Sequence, residues 1–184
     1  YEQWLTEIAK FVCKDPAAVN KFKSGFSPKS WPWRVFAMSM VTPLTRVTAA
    51  ELAEADVVLC SYRLLFSQIY QNRRKEIING FARNESTSLA NLVARTQEFM
   101  SGGKSMASGR KGDQSVDTWQ ELQFPVLEMF HWRRVVFDEF HELESFGSLQ
   151  QNSLQHIRAS YRWGLTGTPP VDCCAGVIFM ASLF

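Results

Sequence analysis

The sequence predicts an α/β domain: a mainly parallel sheet flanked by helices. Three observations carry this. Short apolar, partly β-branched runs recur at 33–41, 56–60, 133–138 and 161–165, the length of buried strands rather than of ordinary helices. Stretches with apolar residues at helical spacing separate them, and strands alternating with helices favour parallel crossover connections. The 184 residues are 46% hydrophobic and 21% charged, enough for one buried core and too apolar for a disordered tail.

Trp4, Leu5, Ile8, Phe11 and Val12 lie at helical spacing, so a helix opens the chain over 1–12. Asp15 as cap and Pro16 at the first helical position begin a short second helix. Ser27-Pro28 through Pro32 reads as a loop, WRVFAMSMV (33–41) as a strand and 49–55 as a short helix. DVVLC (56–60) has the pattern of a strand buried on both faces of a parallel sheet. The helix beginning near Ser61 carries Leu64, Leu65 and Ile69.

Residues 72–116 change character and read as a flexible insertion within a single domain spanning 1–184. Leu89, Leu92, Val93 and Phe99 mark an amphipathic helix inside it. The following linker, SGGKSMASGRKGDQS (101–115), holds four Gly and four Ser and has little to bury. Trp119, Leu122, Val126 and Leu127 resume the core pattern around Pro125. RRVVFD (133–138) is a strand, a helix with Phe146, Leu149, Leu154 and Ile157 follows, and YRWGL (161–165) is the last strand. Residues 175–184 are apolar and fit either helix or strand.

Net charge is +2 with neutral histidines, a weak argument for a nucleic-acid partner. The basic clusters Arg73-Arg74-Lys75, Arg110-Lys111 and Arg133-Arg134 read first as solvated faces or strand flanks. Cys13, Cys60, Cys173 and Cys174 form no C-x-x-C pair, so neither a disulfide framework nor a zinc site is predicted and a reducing intracellular compartment is the default. No apolar run approaches the roughly 18 residues of a membrane span. Tyr1 already lies in a helical pattern and Phe184 interrupts another; the expectation is a piece of a longer protein, truncated at both ends.

In open α/β sheets the chemistry lies beyond the carboxyl ends of the strands. The first such end is Asp138-Glu139-Phe140-His141, directly after RRVVF. A carboxylate at the tip of a buried strand is costly to desolvate without a cation or hydrogen-bond partners. Paired carboxylates there suit nucleotide hydrolysis: the Asp holds Mg²⁺ through water and the Glu polarises the attacking water. Taken alone, the step is also the ordinary exposed end of a strand. The second end is Thr166-Gly167-Thr168-Pro169, after YRWGL. Two hydroxyls flank a glycine that permits a tight turn, although by itself this too is a common strand-ending turn.

The ordered pair is more specific than either half. D-E-x-H, then L-T-G-T-P about one helix later, resembles motifs II and III of superfamily-two helicases, and L-T-G-T-P is most similar to the Swi/Snf family. Tyr1-Glu2-Gln3-Trp4-Leu5-Thr6-Glu7-Ile8 is similar to the helix after that family's motif Ia. Asp56-Val57-Val58-Leu59-Cys60-Ser61-Tyr62 is similar to its strand whose end faces DNA. The resemblance runs in order over nearly the whole chain, with 72–116 the main unmatched part.

The resemblance implies the carboxyl-terminal part of the first RecA-like lobe of a motor that uses ATP and Mg²⁺ to move on double-stranded DNA, in chromatin remodelling or DNA repair, in the nucleus. It implies that Asp138 is the Mg²⁺-linked acid, Glu139 the catalytic carboxylate and His141 the link to motif III. Thr166, Gly167 and Thr168 would couple hydrolysis to lobe movement, and Ser61 and Tyr62 would lie near the nucleic-acid backbone. Pro170-Val171-Asp172 replaces the hydrophobic-Gln-Asn continuation usual in the family. The phosphate-binding pattern G-x-x-x-x-G-K-[ST] is absent: Gly103-Lys104-Ser105 is the sole candidate, and Glu98 stands where its first glycine belongs. The family carries that loop ahead of the position of Tyr1, and the second lobe with its arginine finger beyond Phe184. The piece alone is therefore expected to be inactive. The alternative is a helicase-like lobe that no longer hydrolyses ATP and serves as a nucleic-acid or protein scaffold.

Overall fold

Two parallel ladders form the frame of the protein, with helices packed around them, in a computed structural model that describes residues 1–14, 17, 20, 22–81, 89–101, 118–169 and 174–184. The Asp15-Pro16 cap, the linker over 102–115 including Arg110-Lys111, and Pro170-Val171-Asp172 lie outside the described residues. So do the side chains of Leu89, Leu92 and Val93.

Helix α1 (Glu2–Val12) buries Leu5 and Ala9, four residues apart on one face. That face meets Phe22, Trp31 and the strand β2 (Val35–Met38). β2 lies between β1 (Gly25–Phe26), antiparallel to it, and β3 (Val57–Cys60), parallel to it in the register Val35 opposite Val57. Alternate side chains of a strand point to opposite faces. Val35 and Ala37 therefore pack beneath α1, while Phe36 and Met38 enter the main core. The strand buried on both faces is thus β2, not β3. Val57, Val58 and Leu59 are half-buried and Cys60 is exposed, because β3 pairs along one edge only among the described residues.

Helix α2 (Ala49–Ala53) starts at a reciprocal cap. Glu51 N–H donates to Thr48 Oγ1 at 3.2 Å, and Thr48 N–H donates to Glu51 Oε2 at 2.8 Å. The single helix expected from Ser61 is instead two, α3 (Arg63–Phe66) and α4 (Gln68–Phe81), broken by extended backbone at Ser67. The break turns Ile69 outward, 58% exposed, and buries Tyr70 completely. Within the stretch read as an insertion, 72–81 belong to α4 and α5 (Leu89–Met100) follows; Ile77 and Phe99 are buried in the main core.

Strands β4 (His131–Asp138) and β5 (Arg158–Leu165) run parallel, from His131 opposite Arg158 to Asp138 opposite Leu165. A 3-10 turn (Phe140–Ser145) and α6 (Ser148–His156) connect them. Helix α7 (Cys174–Leu183) resolves the ambiguous apolar tail and buries Leu183. Mixed α/β content around parallel strand pairs is the architecture of a partial RecA-like lobe. None of the described helices is long and apolar enough to cross a membrane.

The 73–75 cluster is not a solvated basic face. Arg73 is buried; its Nε donates to Phe124 O at 3.0 Å and its Nη2 to Gln123 O at 2.7 Å. These bonds hold a turn in which Phe124 has φ 52°. Arg74 is buried against Glu128, Nη1 to Oε1 3.4 Å, and Glu128 has no exposed surface. Lys75 is exposed, and Arg134 lies over the Trp163 ring at 5.6 Å.

Candidate functional site

The parallel register of β4 and β5 sets the site. Because Asp138 pairs with Leu165, both strands end on the same side, and the residues after each are neighbours. Glu139, Phe140 and His141 leave one strand as Thr166, Gly167 and Thr168 leave the other.

Glu139 makes the turn possible. It adopts φ 48° and ψ 46°, the left-handed region, which costs a non-glycine residue roughly 1–2 kcal/mol. Such strain persists where surrounding contacts fix it. Glu142 N–H donates to Glu139 O at 3.0 Å and closes the turn. Tyr62 Oη donates to Asp138 O at 2.9 Å, and Trp4 Nε1 donates to Asp138 Oδ2 at 2.8 Å. The Glu139 carboxylate, 56% exposed, lies 3.4 Å from His141 Nδ1. The same nitrogen is 2.7 Å from Thr166 Oγ1, which also accepts from Thr168 N–H at 3.1 Å.

The structure therefore joins Glu139, His141, Thr166 and Thr168 in one chain of contacts, while Asp138, the residue before Glu139, is held by Trp4 and Tyr62. Gly167 needs no glycine conformation: its φ is not left-handed and a Cβ there would meet nothing within 4 Å. Ser61 stands at the end of β3, where its N–H extends the ladder to Met38 O at 3.1 Å and its Oγ accepts from Arg63 N–H at 3.3 Å. Tyr62 turns its hydroxyl inward to the carboxylate strand. Burial, with the nearby Cys60 and Asp138 charges next, pushes that hydroxyl's pKa far up, so it stays a donor.

Trp4 is the site residue that reading the sequence for acids and hydroxyls does not single out. Its signal was the Gln3-Trp4 step in α1, which periodicity alone assigns to the core; it is instead 38% exposed.

The fit to Mg²⁺ follows from the donor set. Two adjacent carboxylates offer the hard oxygen ligands that cation takes, but among the described residues no group of three His, Cys, Asp or Glu could cage a metal. The arrangement suits a cation that keeps its waters and is shared with phosphate oxygens.

Gly164 secures the base of the site. A Cβ on it would lie 2.7 Å from Phe140 Cδ1 and 2.5 Å from Phe184 Cζ. Phe184 is 51% exposed, whereas Phe140 is buried and follows Glu139 directly. Gly164→Ala is expected to destabilise the fold by about 1–3 kcal/mol through overpacking. Urea unfolding checks this, and an unchanged midpoint would show that Phe140 relaxes freely.

Compared with known proteins, residues 1–181 match the sequence model of the SNF2-related domain. A DNA (cytosine-5-)-methyltransferase, DMT5 of Cryptococcus neoformans var. grubii, is 44% identical over 64 residues. That alignment covers 33% of this chain and 2% of the fungal protein.

Proposed function

Since the chain belongs to the SNF2-related family of ATP-dependent, helicase-like motors, we propose that its parent couples ATP hydrolysis to movement along double-stranded DNA, within chromatin in the nucleus, in remodelling or repair. The observation that carries this reading is the chain of contacts from Glu139 through His141 to Thr166. It links the carboxylate that would polarise water to the turn that would pass the change onward. Asp138 would hold Mg²⁺ through water, and that ion would supply charge neutralisation at the phosphates. Glu139 would orient and polarise the attacking water, and Ser61 would approach the DNA backbone. The similarity to a stretch of a protein named for acting on DNA favours DNA as the partner.

The test sets the intact parent beside this 184-residue chain. The parent should hydrolyse ATP, faster with double-stranded DNA. The 184 residues alone should neither hydrolyse Mg-ATP nor bind it at micromolar concentration in calorimetry. They hold no G-x-x-x-x-G-K-[ST], the pattern whose backbone N–H groups and Lys cradle phosphate. A parent that binds DNA but turns over no ATP would favour the scaffold reading. Micromolar binding by the chain alone that survives Asp138→Ala would reveal a nucleotide site elsewhere.

A further inference from the structure

We propose that Tyr62 is a positioning residue that ties contact with nucleic acid at the end of β3 to the conformation of Glu139. The proposal rests on the reading above, in which Ser61 meets DNA and Glu139 polarises water.

The link is one hydrogen bond between segments 76 residues apart, Tyr62 Oη to Asp138 O at 2.9 Å. That oxygen belongs to the peptide plane between Asp138 and Glu139. A rotation of the plane changes ψ of Asp138 and φ of Glu139 together. Holding the oxygen therefore holds Glu139 in its left-handed conformation, the one that brings its carboxylate to His141 Nδ1.

The tyrosine is itself held. Its ring meets Phe146 edge-on, centroids 5.6 Å apart at 80°, and Phe146 meets Phe66 in the same manner at 5.0 Å. Phe66 lies in α3, and Phe146 lies between the 3-10 turn and α6. The hydroxyl cannot swing aside without disturbing both. On its other side Tyr62 follows Ser61, whose N–H continues the β2–β3 ladder. A shift of the backbone at 61–62 on contact with a phosphate is therefore transmitted to the Asp138 carbonyl by a short, packed path. Motif reading groups Tyr62 with Ser61 as a second DNA contact; the direction of its hydroxyl gives it a different task.

The test is Tyr62→Phe in the intact parent. The ring and its packing on Phe146 are kept, so the fold is kept. DNA-saturated kcat should fall about fivefold, the factor one net hydrogen bond is worth, with KM for ATP and affinity for a double-stranded oligonucleotide unchanged. The Glu142 amide, which closes the turn on Glu139 O, should exchange several-fold faster. In the wild type DNA should slow that exchange, and in the variant it should not. A variant with unchanged kcat and Glu142 exchange, in a parent that does hydrolyse ATP, overturns the coupling alone: the hydroxyl then merely satisfies a carbonyl. A loss confined to DNA affinity also overturns it, by making Tyr62 a direct contact. A wild-type parent with no ATP turnover overturns the function and the coupling together.

Discussion

Glu139→Gln in the intact parent is expected to lower DNA-stimulated ATP turnover by about 10²–10⁴-fold, the range for loss of a general base, with nucleotide affinity preserved. The substitution keeps side-chain length and shape, and removes the charge that would draw a proton from water. The environment makes it a clean test. Glu139 is more than half exposed, so the amide is not left buried and unsatisfied. The left-handed backbone is fixed by Glu142 N–H and by Tyr62, neither of which touches the substituted atoms. The one contact at issue is His141 Nδ1, and its bond to Thr166 Oγ1 remains. Rates at saturating DNA, beside nucleotide binding by calorimetry, separate chemistry from binding. A Gln variant turning over at the wild-type rate would remove Glu139 from the catalytic role.

The two strand ends that frame this test were legible because they are local. A compact apolar run followed by D-E or by T-G-T is readable from a handful of residues, and parallel pairing then brings such ends together. What escaped the sequence is what tertiary packing decides. Runs 33–41 and 56–60 look alike as buried strands, yet only β2 has a partner on each edge among the described residues and cores on both faces. No Gly or Pro marks the break between α3 and α4 at Ser67, so helical spacing assigns Ile69 to the core and passes over Tyr70. The hydrogen bonds from Trp4 and Tyr62 to Asp138 span 134 and 76 residues, and no periodicity encodes them. Arg73 and Arg74 read as surface charge because their acceptors, the Phe124 and Gln123 carbonyls and Glu128, lie about fifty residues away.

Glu128 is the extreme case of that kind, and its removal should cost the fold most. It stands in PVLEMF, between apolar neighbours, in the 3-10 turn Leu127–Met129 that leads into β4. The carboxylate has no exposed surface and gathers three donors from two helices: the Tyr70 hydroxyl and Arg74 guanidinium on α4, and the Ser153 hydroxyl on α6. Tyr70 in turn accepts from Leu127 N–H at 3.0 Å, closing the network on the same turn. Burial, and then the Glu128 charge, raise the Tyr70 pKa well above its ordinary value, which keeps it a donor. In Glu128→Ala, Arg74 remains, 4% exposed, as an uncompensated buried cation, and two hydroxyls lose their acceptor. Stranding one member of a buried pair costs about 3–5 kcal/mol. That is a large share of the roughly 5–15 kcal/mol a domain has in all, so Glu128→Ala should unfold at a much lower urea concentration than the wild type. Replacing both members, Glu128→Leu with Arg74→Met, strands no charge, and should be less destabilising than the sum of the single changes. Urea unfolding of the two single variants and the double variant measures that coupling. Additive losses, or a Glu128→Ala variant within about 1 kcal/mol of wild type, would mean that water reaches this pair and that the network does not hold α4, α6 and the start of β4 together.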